Sequence, residues 1–287
     1  MSFPKVSTQP LRIAVPNKGT LSEAAAEMLQ EAGYSGRVDP RALSVPDERN
    51  GVEFYYLRPR DIATYVASGA LDIGITGRDL LRDSATSARE IQPLDFGFST
   101  FRFAGPPGMG DIAVLESKRV ATSYPHLVQH FLAEHGVSAD IVRLDGAVES
   151  AVRLGVADAV ADVVSTGRTL AAQGLEIFGP VILESEAVLI AGAQNPPGLD
   201  TLSQRLQGVL VARQFVLMDY DLPANLLDQA TAISPGLESP TVSPLQDPKW
   251  VAVRAMVRRV DQHEVMDRLY ALGARAILVS SIHAARI

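Results

Sequence analysis

The sequence contains no cysteine. Disulfides and thiol nucleophiles are thereby excluded, and zinc is left only histidine and carboxylate ligands. Lysine is nearly as scarce: Lys5, Lys18, Lys118 and Lys249 stand against 22 arginines. The net charge is −7 and no basic block interrupts it, which argues against nucleic acid as a partner. No apolar run approaches the roughly 18 residues of a membrane span, and the opening "MSFPKVSTQP" lacks the apolar stretch of a secretory signal. The expectation is a cytoplasmic chain with no membrane partner. Two phosphate motifs are also missing. Neither G-x-x-x-x-G-K-[ST] nor a G-x-G-x-x-G after a strand occurs, so P-loop and Rossmann-type nucleotide binding are set aside.

What is present is a globular composition, 47% hydrophobic over 287 residues, enough for two domains or three small ones. Strand-like and helix-like segments alternate, which predicts a parallel or mixed α/β sheet. "LRIAV", "VEFYYL" and "LDIGIT" read as strands. Thr20 opens a helix with capping-box spacing to Glu23, and Leu21, Ala25, Met28, Leu29 and Ala32 recur on one face. After the glycine- and proline-rich "AGPPGMGD", "DIAVLESK" reads as helix, "RVATSY" as strand, "PHLVQHFLAEHG" as helix and "ADIVRL" as strand. "DGAVESAVRLG" reads as a helix capped by Asp145, and "DAVADVV" as the next strand. Beyond a helix around 200–212, the order becomes βαββαβ, the ferredoxin-like arrangement.

One stretch carries chemistry. In "DAVADVVSTGRTLAA" an apolar run holds Asp162 and then breaks into Ser165, Thr166, Gly167, Arg168 and Thr169. A strand running through such a turn into a helix offers amide N–H groups and hydroxyls to an anion. Gly167 lets the backbone approach closely, and Asp162 one turn earlier suits a diol. A ribose 5-phosphate presents both. A solvated Asp162 with Ser165 or Thr169 as helix cap fits the same pattern. Lys18-Gly19, Arg49, and Asp72 with Gly77-Arg78-Asp79 fall at or near strand ends, where open α/β sheets bind ligands. His126 and His130 have the i,i+4 spacing of zinc ligands, with His135 beyond, but no third ligand is evident and a solvated helix face explains them.

The segment "ESAVRLGVADAVADVVSTGRTL" combines an acid, a spaced glycine, an aspartate and a Thr-Gly-x-Thr turn. With "NKGTL", "LDIGITGRDLL", "RVATSYPHLV" and "PGLESPTVSPL", it makes the chain resemble the long form of the ATP phosphoribosyltransferase family, the first enzymes of histidine biosynthesis. The likeness runs from about residue 11 to the C-terminus. Thr20 departs from it, because many members have arginine after the Lys-Gly pair.

The resemblance implies a two-lobed, type II periplasmic-binding-protein-like core. Residues 1–100 would form the first lobe, completed by about 186–211, and 101–185 the second. Residues 212–287 would be a ferredoxin-like, ACT-like regulatory domain. It implies that ATP and phosphoribosyl pyrophosphate give phosphoribosyl-ATP and pyrophosphate, with Mg²⁺ on the pyrophosphate and no metal ligand assigned. Phosphoribosyl pyrophosphate would meet Asp162, Ser165, Thr166, Gly167, Arg168 and Thr169, and Asp162 with Glu149 beside it would be the catalytic residues. ATP would meet Lys18, Gly19, Arg49 and Asp72, with Tyr124 stacking on adenine. Histidine, as inhibitor, would meet Asp221, Leu237, Ser239 and Thr241, with Ala276 bordering the pocket from a neighbouring module. The implied assembly is a homo-oligomer, a hexamer built from dimers. The alternative from another class is a two-lobed solute or co-inducer binding protein without catalysis.

Overall fold

The computed structural model describes residues 9–37, 39, 41–164 and 167–286. The chain divides into two compact units. One holds Met1–Gln30 and Tyr34–Asp200, the other Glu31–Gly33 and Thr201–Ile287.

In the first unit the chain runs β1 (Leu11–Pro16), α1 (Thr20–Glu31), β2 (Ser44–Asp47), β3 (Val52–Leu57), α2 (Pro59–Ala67), β4 (Ile73–Gly77), α3 (Arg78–Asp83) and β5 (Arg89–Pro93). Strands β1, β3 and β4 are parallel. Every residue of β4 is buried, as expected of a strand covered on both faces. The α1 stripe buries Ala25, Met28 and Leu29. Pro59 starts α2, where its missing N–H costs nothing.

A second lobe follows: β6 (Ser99–Gly105), β7 (Arg119–Thr122), α4 (Pro125–Glu134), β8 (Asp140–Arg143), β9 (Ala159–Val164), α5 (Arg168–Ala172) and β10 (Glu176–Ser185). Its sheet has the order β10-β6-β9-β7-β8. The chain then returns, and β11 (Ala187–Ala191) inserts into the first sheet between β4 and β5, giving β2-β3-β1-β4-β11-β5. Two crossings therefore join the lobes.

The second unit begins within α6 (Leu199–Gln214) and continues through β12 (Phe215–Pro223), α7 (Leu227–Ile233), β13 (Thr241–Pro244), β14 (Trp250–Arg258), α8 (Gln262–Leu272) and β15 (Arg275–Ser281). Its sheet order is β13-β14-β12-β15, with all pairings antiparallel. Val216, Met218, Tyr220 and Leu222 alternate along β12 into a core shared with residues of α7 and α8. This is the ferredoxin-like module expected from the element order.

Two expected helices do not form. Residues 145–155 hold only a 3₁₀ turn, Val148–Ser150, and Asp145 caps nothing there, since Ala147 precedes the turn at a left-handed φ of 49°. Eight residues lie between Gly146 and Gly155, and the left-handed Ala147 keeps a right-handed helix from starting before Val148. They bury Val148 and Ala151 instead. "DIAVLESK" likewise shrinks to Ile112–Leu115, whose first N–H is taken by the Asp111 carboxylate.

Candidate active site

Ligand chemistry collects where parallel strands end. In the first lobe, Lys18 and Gly19 follow β1, and Arg58 with Pro59 and Arg60 follow β3. Gly19 sits at φ +80° with open space around it, so a side chain there meets strain, not crowding. In the second lobe, Ser123 and Tyr124 follow β7 and Asp145 lies two residues past β8. These ends border a cleft of about 540 Å³ lined by Lys18, Arg58, Arg60, Asp61, Arg143 and Asp145, among others. Four cations and two carboxylates line this cleft, with Arg143 paired to Asp145 and Arg60 to Asp83, and the excess of positive charge suits anions.

Arg60 ties the two lobes together. Its Nη1 donates to the Ser123 carbonyl at 2.7 Å and to Asp83 Oδ2 at 3.2 Å. Its guanidinium also lies 4.8 Å from the centre of the Tyr124 ring. The same ring packs edge-on against Phe101, 4.9 Å between centroids. Burial pushes the Tyr124 phenol far above its ordinary range, and the Asp79 carboxylate adds to the shift. Asp79 itself is buried and accepts from the Ser185 hydroxyl at 2.9 Å.

Asp162 lies near the end of β9 and accepts the Val163 N–H at 2.8 Å. Burial raises its carboxyl above the ordinary 3.8, against the Val163 N–H bond that lowers it, and the negative charges of Glu149 and Asp79 raise it further while Arg60 opposes them. Three carboxylates thus share one neighbourhood, and a positive charge arriving there is welcome. Gly167 follows at φ +69°, where any other residue is strained, and α5 starts directly after it with no side-chain cap. Arg168 and Thr169 occupy the exposed first turn of α5, so neither is needed as a helix cap. Ser165 and Thr166 lie outside the described residues.

Two expected ATP contacts do not join this cleft. Arg49 sits in the exposed turn before β3, and Asp72 immediately precedes β4. Both mark the N-terminal edge of parallel strands, whereas Lys18 follows the C-terminal edge. Six residues of β1 at about 3.3 Å each put roughly 20 Å between the two edges. Asp72 is moreover spent on Arg12, accepting its backbone N–H at 2.8 Å, Nε at 3.1 Å and Nη2 at 2.8 Å. Arg78 is likewise occupied by Glu90 and Glu186. Tyr124 borders the cleft, but Arg60 already lies over its ring, so adenine stacking on that face requires Arg60 to leave.

The cleft residues that sequence reasoning passed over are Arg58, Arg60, Asp61 and Arg143, with Asp83 behind Arg60. Arg58 and Arg60 had a signal, since they directly follow a strand-like run. Asp83 and Arg143 had none.

In the second unit, Asp221 lies inside β12, opposite Ala252 of β14 and Arg275 of β15. It does not cap the following 3₁₀ turn, where Pro223 takes that position. Its side of the sheet also carries Asp219, paired with Arg254 at 2.7 Å, and Thr241 at the start of β13. Leu237 and Ser239 belong to the loop before β13, where Leu237 is exposed. Ala276 holds φ +49° at an irregularity in the β12–β15 pairing.

Of the three histidines in and just after α4, His130 faces Glu134 at 3.3 Å and His135 bonds the Phe131 carbonyl at 2.8 Å. Among the described residues no group of three His, Asp or Glu is placed to hold a metal ion.

Comparison with known proteins connects these observations. Residues 58–208 match the family model described as ATP phosphoribosyltransferase, and residues 212–284 match that of the HisG C-terminal domain. The ATP phosphoribosyltransferase of Paenarthrobacter aurescens is 62% identical over 285 residues, covering 96% of this chain and all of the relative. That of Micrococcus luteus is 60% identical over 281 residues with the same coverage. Among solved structures, the ATP phosphoribosyl transferase (HisG:HisZ) complex from Thermotoga maritima has a chain that superposes with a TM-score of 0.58 at 28% identity, covering 69% of this chain and 98% of that one. These likenesses favour a transferase over a non-catalytic binding protein. The chain belongs to the ATP phosphoribosyltransferase family, and its reaction moves the 5-phosphoribosyl group of phosphoribosyl pyrophosphate to N1 of the adenine of ATP, releasing pyrophosphate.

Proposed function

We propose that the two lobes divide the substrates. Phosphoribosyl pyrophosphate lies against the second lobe, its ribose hydroxyls on Asp162 and its 5-phosphate at residues 165–169. Glu149 stands beside it. The observation that carries this reading is the position of Asp162, a half-buried carboxylate among Glu149 and Asp79, just before a helix start that has no side-chain cap. The ATP phosphates lie against Lys18 and Gly19 of the first lobe, with Arg58 and Arg143 near them in the cleft. Lys18→Ala should then raise the KM for ATP by about tenfold or more, the worth of one charge-assisted hydrogen bond, and move the KM for phosphoribosyl pyrophosphate far less. Equal effects on both substrates would overturn the division.

Adenine N1 carries no proton at neutral pH, so the transfer needs no strong base. Positioning supplies much of the acceleration. The carboxylates of Asp162, Glu149 and Asp79 favour the cationic ribosyl group as its bond to pyrophosphate breaks, and the cleft arginines hold the departing charge. Mg²⁺ fits as an ion carried in by the pyrophosphate, since it prefers phosphate oxygens, water and one or two carboxylates to an all-protein cage. Asp162 and Glu149 are the carboxylates at hand, and the ion would neutralise the leaving group. We place the enzyme in the cytoplasm, with its substrates.

The C-terminal unit is proposed to bind histidine and to inhibit from a distance. Asp221 would take the ammonium group, and Leu237, Ser239 and Thr241 would line the opposite side. Ala276 lies on β15 and Thr241 on β13, three strand spacings or about 14 Å apart, with the Asp219–Arg254 pair between them. One histidine in one module cannot reach both, so a pocket that includes Ala276 takes it from another copy. This reading calls for a homo-oligomer, and the one proposed is a hexamer built from dimers. Asp221→Ala should shift half-inhibition by histidine at least about tenfold upward and leave uninhibited rates as they were. An unchanged inhibition curve would remove Asp221 from the site.

A further inference from the structure

Helix α4 of the second lobe starts without a local cap. Tyr124, at the N-cap position, makes no side-chain capping bond, and a helix start left that way has orphan N–H groups. The groups are satisfied from the other lobe. Asp83, the last residue of α3, accepts the His126 N–H at 3.0 Å and the Leu127 N–H at 3.2 Å through Oδ1. Its Oδ2 takes Arg60 Nη1 at 3.2 Å, and that same nitrogen donates to the Ser123 carbonyl at 2.7 Å. Asp83 is only 7% exposed. An ionised carboxylate at a helix N-terminus is favoured by both the dipole and the charge-assisted bonds.

We infer that Asp83 is a positioning residue for phosphoribosyl transfer, a cap supplied across the lobes that sets their spacing. The lobes are otherwise joined covalently only by the segments between β5 and β6 and between β10 and β11, which on their own permit hinge motion. Asp83 adds a non-covalent tie beside the Arg60–Ser123 and Asp79–Ser185 bonds, and it alone caps α4. It holds the start of α4, and with it the ends of β7 and β9, in register with Lys18 and Arg58. The inference rests on the reading that the substrates are split between the lobes. Asp83 stands behind Arg60 and needs no substrate contact for this role.

Loss of the tie should therefore spoil alignment and leave the binding of each substrate to its own lobe intact. Misplacing reactants by about 1 Å costs about a hundredfold in rate. For Asp83→Ala we expect kcat to fall by about that factor, and the Kd for phosphoribosyl pyrophosphate alone, by calorimetry, to stay within about threefold of wild type. Asp83→Asn keeps an acceptor oxygen and loses the charge, so it should fall between, and it serves if the alanine variant does not fold. The absence of cysteine allows spin labels at Glu27→Cys in α1 and Gln129→Cys in α4 with no background. Pulsed EPR should give one narrow distance in the Asp83 protein and a broadened distribution in both variants. A narrow, unshifted distance together with wild-type kcat would overturn the inference. So would a raised Kd with the distance unchanged, since Asp83 would then act on binding. The substrate reading fails separately: Asp162→Asn that binds phosphoribosyl pyrophosphate normally would sink it, whatever the label distances show.

Discussion

Replacing Asp162 by asparagine should raise the phosphoribosyl pyrophosphate requirement by about ten- to a hundredfold and, at neutral pH, make the ligand-free protein more stable. The two effects share one cause. Burial lifts the Asp162 carboxyl above its ordinary 3.8, with Glu149 and Asp79 lifting it further. A carboxyl raised in the folded state favours folding when protonated. That contribution is whole below the unfolded value and is lost as pH rises through the folded one. Near pH 7 the wild-type protein holds an ionised carboxylate among like charges, which the substrate later repays by hydrogen bonds and developing positive charge. Asparagine has no proton to lose. Urea midpoints measured from pH 4 to 7 should therefore fall for the wild type relative to the variant, while the wild type keeps the lower KM. Parallel pH profiles with an unchanged KM would contradict both halves.

The second large effect is expected far from any ligand. Gly74 lies in the fully buried strand β4, and a Cβ there would meet Ile62 Cγ2 at 2.4 Å, Val66 Cγ2 at 3.1 Å and Ile190 Cγ1 at 3.3 Å. Ile62 and Val66 are β-branched residues of α2, with little rotamer freedom to give way, and Ile190 is the β11 residue paired directly with Gly74 on the same face of the sheet. Overpacking of this kind costs about 1–3 kcal/mol, a sizeable share of the roughly 5–15 kcal/mol that holds a typical domain folded. Gly74→Ala should thus lower Tm by several degrees, about 2–4 °C per kcal/mol for a domain of this size. Activity should fall too, because relief requires α2 to shift and α2 directly follows Arg58. A variant with wild-type Tm would show that the sheet relaxes more easily than its packing suggests.

The sequence exposed those parts of the fold that are local. Strands β1, β3 and β4 and the stripe on α1 follow from periodicity, and the βαββαβ order of the C-terminal unit follows from its elements. Strand β10 was harder to see because Gly179-Pro180 interrupts it, and its pairing with β6 shifts register there. The same division holds in the cleft. Asp162 and Gly167 lie on one short stretch. Arg49 and Asp72 misled because a polar residue beside a strand does not reveal which end of that strand it occupies. Only the parallel pairing of β1 with β3 and β4 shows that Lys18 is on the opposite edge. The Arg60–Ser123 and Asp83–His126 bonds join residues 63 and 43 positions apart, and no local pattern encodes them.

The insertion of β11 between β4 and β5 also bears on how the chain is made. Strand β5 joins the first sheet only through β11, so β4 must wait with one edge unpaired while about 110 further residues are synthesised. At about 5–20 residues per second that wait lasts roughly 5–20 s. The second lobe, formed by β6–β10, emerges entirely within it and contains all of its own strand partners. It should therefore fold on the ribosome before the lobe that precedes it, and the first lobe should close last around an already folded insert. Nascent chains stalled so that the part outside the ribosome ends between β10 and β11 should show the second lobe protected from protease while β1–β5 remain open to cleavage.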